Sequence, residues 1–163
     1  MEADFAELVR ANESQVYSLA WHYLRNRPRA EELAQDVFLD LYRNLGAIQS
    51  EDHARHWLRV AICRRCLDET RRRRFEPVNG LDHAPEPAGP AEPGDPLLAD
   101  FLERMVASLG GPARMVMILR YQEDLDPADI AAVLDMPLAT VKSHLHRSLE
   151  KLREKLTRKG VKA

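Results

Sequence analysis

Apolar residues recur every three or four positions along most of this chain, and no segment alternates apolar and polar residues with a period of two. That spacing is typical of amphipathic helices that pack through one face. The sequence therefore predicts an all-α protein. Before residue 75 it predicts three helices: one with Phe5, Leu8, Val16 and Leu19, one with Leu33, Val37, Phe38 and Leu41, and one that begins near His53, carries Trp57, Leu58, Ile62 and Cys66 inward and ends at Arg74.

After residue 96 the same pattern predicts four more helices. The first runs from Leu98 to Leu109 and is ended by the Gly-Gly-Pro sequence that follows it, and the second runs from Met115 to Tyr121. Glycine disfavours a helix because it loses more backbone entropy when it is ordered, and proline disfavours it because it has no backbone N–H to donate.

The last two predicted helices are separated by a tight turn. Asp126 and Pro127 supply an N-cap and a first-turn proline, with Asp129 placed for a capping box, so a helix of about eight residues should end at Leu134. An Asp-Met-Pro break follows, and a long helix begins at Leu138. This order is that of a helix-turn-helix motif. The predicted inward stripe of the long helix consists of Leu138, Val141, Leu145, Leu149, Leu152 and Leu156.

Residues 75–100 have a different composition, with six prolines, three glycines, six acids and no Lys or Arg. Prolines favour an extended chain, and no apolar period is visible there. We therefore predict two small helical domains, residues 1–74 and 97–163, joined by a flexible acidic linker over residues 75–96.

Charge adds to this picture only when it is examined locally. The 163 residues include 24 Lys and Arg and 26 Asp and Glu, so the net charge of −2 gives no reason to expect a nucleic-acid partner. From Lys142 to Lys159, however, seven basic residues accompany two acidic ones, and a second basic cluster ends the third helix. A solvated face or the helix dipole explains either cluster alone. Two clusters on separate domains indicate a protein that contacts DNA twice.

The polar face of the last helix has the side chains expected of a DNA-reading helix. At about 100° per residue, small, basic and hydrogen-bonding groups fall opposite the leucine stripe. In a major groove such groups bind guanine edges or phosphates. The set is Ala139, Lys142, Ser143, His146 and Arg147, with Thr140 placed to contact the backbone.

The second helix presents the opposite charge. Its polar side chains are carboxylates and an amide, which are not groups that attract phosphate. They indicate either a basic protein partner or a plain solvated face. They are Glu31, Glu32, Gln35, Asp36 and Asp40.

Two cysteines and two histidines on the third helix resemble zinc ligands in sequence, but the helix holds them too far apart to share one ion. At 1.5 Å per residue His53 and Cys66 lie about 20 Å apart, whereas zinc ligands sit about 2.0 to 2.3 Å from one ion. We predict no metal site, with Cys66 as small core filling and Cys63 packed or half-exposed. No phosphate loop, nucleophile elbow or metalloprotease motif is present, so we expect no cofactor and no enzymatic activity.

The sequence also carries no signal for a membrane. It has no basic N-terminal segment followed by an apolar run, and no stretch approaches about 18 consecutive apolar residues. We expect a cytoplasmic protein that does not insert into membranes.

Three segments resemble the extracytoplasmic-function sigma factors of bacterial RNA polymerase. They are AEELAQDVFLDLY at 30–42, WL at 57–58 with CLDETRRR at 66–73, and ILRYQEDLDPADIAAVLDMPLATVKSHLHRSLEKLREKL at 118–156. They stand in the family's order with its variable linker between them. The resemblance implies a sigma region-2 domain and a sigma region-4 domain, and it implies core RNA polymerase, promoter DNA and an anti-sigma factor as partners.

The resemblance also implies roles for individual residues. Gln35 and Asp36 would dock on the beta-prime clamp helices with Leu33 and Phe38 packed behind them, while the region-4 domain would contact the beta flap. The loop Gly46–Asp52 would capture a base flipped from the minus-10 element. Implied minus-10 contacts are Gln49, Ser50, Arg59, Arg64, Arg65, Arg71 and Arg72, and implied minus-35 contacts are Thr140, Lys142, Ser143, His146 and Arg147.

Two other functions fit parts of the sequence. A dimeric helix-turn-helix repressor or activator would bind its operator tightly without polymerase, but it leaves the second helix and the loop after it without a role. A metal- or thiol-based sensor would use Cys63 and Cys66.

Overall fold

The computed structural model describes residues 4–73, 96–158 and 160. Within them the chain forms seven α-helices and no strand, which confirms the predicted all-α class. The helices are α1 (Phe5–Leu24), α2 (Arg27–Arg43), α3 (Glu51–Arg73), α4 (Pro96–Ala107), α5 (Gly111–Tyr121), α6 (Pro127–Leu134) and α7 (Leu138–Arg158), with a 3-10 turn at Leu45–Ala47. In the same residues no helix is long and apolar enough to cross a lipid bilayer.

The chain divides into two compact units, with the boundary between residues 84 and 85. The predicted linker, residues 75–96, lies outside the described residues except for Pro96, the first residue of α4. We call the units the first and the second unit.

In the first unit α1, α2 and α3 pack against one another. Asn26 caps α2, because its side chain accepts a hydrogen bond from the Arg29 N–H at 3.0 Å. Helix α3 begins at Glu51, two residues before the predicted start at His53, because the Ser50 hydroxyl accepts from the His53 N–H at 3.0 Å and caps the helix. The core consists of Leu8, Val16, Leu19, Ala20, Tyr23, Ala30, Leu33, Ala34, Val37, Leu41, Ile48, Ala54, Leu58, Ile62, Cys63 and Cys66.

Two polar contacts hold the second half of α3 against α1 and α2. The hydroxyls of Tyr23 and Thr70 lie 2.6 Å apart. The Arg29 guanidinium donates Nε to Oε1 of Glu69 at 2.7 Å and Nη2 to Oε2 at 2.5 Å. Glu69 is 8% exposed, and its carboxylate raises the pKa of Arg29 above the ordinary value. Of the two acids among the arginines of α3, Glu69 is therefore bound to α2, whereas Asp68 is exposed.

In the second unit α5 and α6 both pack on α7. Helix α5 begins at Gly111, four residues before the predicted Met115, with Pro112 in its first turn. Helix α6 has the predicted eight residues and ends at Leu134, and Asp135, which follows it, has a left-handed backbone with φ 52°. The predicted capping box does not form: the Asp126 side chain makes no capping bond, and its backbone carbonyl accepts from the Ile130 N–H at 3.0 Å.

The predicted leucine stripe of α7 is wrong in two places. Leu138 and Leu149 are 40% and 36% exposed, whereas Ser148 is buried at 1%. Val141 and Ser148 lie seven residues apart, about 20° from one another around the helix, and they mark the buried face. The positions of α5 and α6, rather than the leucines themselves, set this rotation of α7.

Candidate functional site

The polar side of α2 carries the residues that the sequence assigned to a protein partner. Gln35 is exposed and Asp36 is half-exposed, while Leu33 is 4% exposed and Phe38 is half-buried. Leu33 thus belongs to the core and supports this side from behind.

Two large apolar side chains on the same side were missed by the sequence analysis. Leu39 is 54% exposed and Tyr42 is 61% exposed. They follow Gln35 by four and seven residues, which places them within about 40° of it around the helix. The Phe5 ring packs edge-on against Tyr42 with centroids 5.2 Å apart. Their signal was available, because they are out of phase with Leu33 and Leu41. We call Gln35, Asp36, Leu39 and Tyr42 the α2 face.

Arg65, a predicted minus-10 contact, points to α2. Its Nη2 lies 2.5 Å from Oδ2 of Asp40, and its Nη1 lies 3.6 Å from Oδ2 of Asp36. These ion pairs tie α3 to the acidic side of α2. The guanidinium is thus already paired within the unit, which favours a structural role over a DNA contact.

The other predicted minus-10 arginines are distributed around α3. Arg64 and Arg71 are exposed and seven residues apart, so they share one side of the helix. Exposed Arg72 lies about 80° away on the row of Arg65. Arg59 is half-buried and about 140° from Arg64, so the structure does not bring it to the same surface.

An open groove of about 290 Å³ runs along the outer side of α3 beside Arg64. Trp57 supplies an aromatic face and Arg64 a cation, a combination that stacks a nucleobase and contacts its phosphate. The sequence predicted that Trp57 faces inward, but the side chain is half-buried and lines this outer groove, because it lies on the same row of the helix as Arg64. The lining residues of this α3 groove are His53, His56, Trp57, Val60, Ala61 and Arg64.

The loop before α3 places its two predicted base contacts differently. Gln49 is exposed, whereas Ser50 is half-buried and its hydroxyl already accepts from the His53 N–H. Ile48, 8% exposed, anchors the loop in the core. Of the pair, Gln49 has the side chain more open to solvent.

On α7 the structure brings all the predicted reading residues to one exposed surface, away from Val141 and Ser148. Nε2 of His146 lies 3.2 Å from Oε1 of Glu150, an acid on the same side that the sequence analysis omitted. The residues of this α7 face are Thr140, Lys142, Ser143, His146 and Arg147.

Cys63 and Cys66 form no disulfide and are fully buried. Burial, with the nearby Glu69 carboxylate, raises the pKa of the Cys66 thiol to about 12. Across residues 4–73 and 96–158, no three His, Cys, Asp or Glu side chains are grouped as metal ligands would be. Both cysteines occupy core positions.

We expect the native protein to resist alkylation of Cys63 and Cys66 by iodoacetamide at pH 8, because the thiolate is the reactive form and both residues are buried. Urea-unfolded protein should take up two labels, as mass spectrometry would measure. Since the folded pKa of Cys66 exceeds its ordinary value of 9.0, the free energy of unfolding should fall as pH rises from about 9 towards 12. Rapid labelling of Cys66 in native protein would contradict this account.

Comparison with known proteins covers both units. Residues 8–76 match the sigma-70 region 2 family, and residues 102–152 match the sigma-70 region 4 family. The ECF RNA polymerase sigma factor SigW of Bacillus subtilis is 26% identical over 165 residues, covering 93% of this chain and 88% of that protein. The RNA polymerase sigma-E factor of Streptomyces coelicolor is 29% identical over 163 residues, covering 98% of this chain and 90% of that protein.

A solved structure agrees with the fold. The sigma factor RpoE of Bartonella quintana, in complex with the anti-sigma factor NepR, superposes with a TM-score of 0.76 at 21% identity, covering 94% of this chain and 97% of that one. With both sigma regions matched in order and full-length relatives of the same kind, the chain belongs to the extracytoplasmic-function sigma factors, which direct bacterial RNA polymerase to promoters.

Proposed function

We propose that the α2 face docks on core RNA polymerase, that the α3 groove and the loop before it bind the melted minus-10 strand, and that the α7 face reads the minus-35 element. The observation that carries this proposal is the separation of charge in the first unit. On α2 Glu31 is exposed, and the half-exposed Asp36 and Asp40 follow it along the helix, paired with Arg65. On the outer side of α3 Arg64 and Arg71 are exposed, with Asp68 beside them. An acidic surface repels phosphate and a basic aromatic one attracts it. One small bundle thus offers two surfaces to two different partners.

At the minus-10 element the first unit has to offset the cost of flipping a base, which is a few kcal/mol. Stacking on an aromatic side chain contributes about 1 to 3 kcal/mol per base. Trp57 in the α3 groove supplies such stacking, and Arg64 and Arg71 attract the backbone. The backbone N–H of Gln49 bonds to His53, which lines the groove. These contributions are of the size needed to hold a melted strand rather than to melt duplex DNA alone.

A run-off experiment tests the whole proposal. Core polymerase should start transcription from a subset of a promoter library only when this protein is added. The protein alone should bind duplex promoter weakly, because each unit offers few base contacts. Tight operator binding without polymerase, and no polymerase-dependent transcripts, would instead favour a dimeric helix-turn-helix repressor.

We also propose the bounds of the two domains, the cellular site of action and a contact between the region-4 domain and the polymerase. The region-2 domain would span residues 1–74, the linker residues 75–96 and the region-4 domain residues 97–163. The site of action would be the cytoplasm, the catalysis would belong to the polymerase, and the region-4 domain would contact the beta flap.

An anti-sigma protein is a further proposed partner, since the Bartonella relative is bound to one. In this chain Leu138 and Leu149 are exposed beside Lys142 on α7. A protein that covered these leucines would also cover Lys142. Such a partner would therefore block minus-35 recognition.

Changing Gln35 to Ala together with Asp36 to Lys should lower the affinity for core polymerase about tenfold, the size expected when central interface residues are lost. Gln35 is exposed, and Asp36 is half-exposed with a long 3.6 Å ion pair to Arg65, which also pairs with Asp40. The far-ultraviolet circular dichroism spectrum should therefore stay the same. Affinity would be measured with labelled protein by fluorescence anisotropy. Glu13→Lys, at an exposed position on α1, is the matched control and should bind core polymerase like the parent. Equal loss in both variants would indicate a general charge effect rather than docking through α2.

A further inference from the structure

The side chain of His53 forms a hydrogen bond with the loop before α3. Its Nδ1 accepts a hydrogen bond from the backbone N–H of Gln49 at 3.1 Å. In return the Ser50 hydroxyl accepts from the His53 N–H at 3.0 Å. These two bonds join the first turn of α3 to the last two residues of the loop before it.

The hydrogen bond from Gln49 requires Nδ1 of the His53 ring to act as an acceptor. A ring nitrogen accepts a hydrogen bond only when it carries no proton, so this bond assigns the imidazole proton to Nε2. The same ring lines the α3 groove next to Trp57. His53 therefore belongs both to the loop and to the groove.

We propose that His53 is a positioning residue for minus-10 recognition: its Nδ1 fixes the Gln49 backbone next to a ring that lines the α3 groove, and so holds the exposed Gln49 side chain in place for the captured base. This inference rests on the proposed function of the groove. In the sequence His53 stood out only as an apparent zinc ligand, a role that the geometry of the helix argues against.

The start of α3 does not depend on this bond. Ser50 caps the helix through its own hydroxyl, and the Ala54 N–H donates to the Ser50 carbonyl at 3.0 Å. Ile48 anchors the loop in the core. Loss of the His53 acceptor should therefore release the backbone of Gln49 while helix and core stay in place.

The test uses the full chain assembled with core polymerase and two single-stranded oligonucleotides. One carries the minus-10 sequence identified by run-off transcription, and the other has an abasic site at the captured position. His53→Ala should reduce the preference for the intact oligonucleotide about two- to tenfold, the value of one hydrogen bond. His53→Asn should restore it to within about twofold of the parent, because its side-chain oxygen can accept from the same N–H. Affinity for core polymerase should be unchanged in both.

Arg55→Ala is the matched control, since Arg55 is exposed on the same helix and pairs only locally with Asp52 at 3.6 Å among the contacts described for it. The proposal is wrong if His53→Ala keeps the parent's preference, or if His53→Asn loses as much as His53→Ala. Trp57→Ala separates this proposal from the function of the groove. If Trp57→Ala weakens oligonucleotide binding and His53→Ala does not, only the role of His53 fails; if neither matters, the groove assignment fails.

Discussion

Replacing Arg147 with Ala should weaken use of the minus-35 element by about 1 to 3 kcal/mol and relax the preference for one base. Arg147 is exposed on the α7 face, about 100 to 120° around the helix from buried Ser148 and Val141, so its guanidinium can enter a major groove without any change in packing. An arginine that binds guanine through two hydrogen bonds discriminates strongly against other bases. The measurement is run-off transcription from promoters that differ at each minus-35 position in turn.

Arg158→Ala is the control for this experiment. Arg158 is also an exposed arginine on α7, but it lies about 16 Å further along the helix. Its loss should leave base preference unchanged. A uniform loss over all promoter variants with Arg147→Ala would identify a phosphate contact, and base reading by Arg147 would then be wrong.

Replacing Glu69 with Ala should lower the free energy of unfolding of the first unit by about 2 to 3 kcal/mol. The change leaves the half-buried Arg29 guanidinium without the carboxylate that binds it through two hydrogen bonds. Breaking a fully buried ion pair costs about 3 to 5 kcal/mol. The estimate is lower here because the Arg29 side chain is 24% exposed and still contacts Glu32 at 2.8 Å. Both tryptophans, Trp21 and Trp57, lie in the first unit, so tryptophan fluorescence in urea reports on this unit.

Glu32→Ala separates the buried arm of this contact from the exposed one. Glu32 pairs with the same arginine, but its side chain is 61% exposed, so the loss should be a few tenths of a kcal/mol. The combined change of Arg29 to Met and Glu69 to Leu should recover most of the stability, because no buried unpaired charge remains and Glu32 is exposed to solvent. Equal effects of Glu69→Ala and Glu32→Ala would show that burial of this pair does not matter for stability.

The roles of the arginines on α3 show where sequence-based reasoning ends. Six arginines and two acids in sequence predicted one basic surface. In the structure Glu69 binds Arg29, and Arg65 binds Asp36 and Asp40. Among the described residues at this end of α3, Arg64, Arg71 and Arg72 stay exposed, together with Asp68. Charges that are neighbours in sequence thus have partners about 25 to 40 residues away. Such pairings depend on how α2 and α3 lie against each other.

The helix-turn-helix was predictable because its signals are local. Pro127 at the start of α6, the break before Leu138 and the length of the short helix all follow from backbone preferences of a few adjacent residues, and the structure agrees with them. The outer position of the α7 reading residues also followed from the period of one helix.

Sequence was sufficient for the class of fold, the order of the helices, the family and the exposed side of α7 that carries the proposed reading residues, since each depends on local periodicity and short motifs. Packing between helices settled the rest. It rotated α7 so that Leu138 and Leu149 are exposed while Ser148 is buried, left Leu39 and Tyr42 uncovered on α2, and joined His53 to Gln49. The physical reason is that burial and pairing are properties of two surfaces in contact, and a single helical period specifies only one of them.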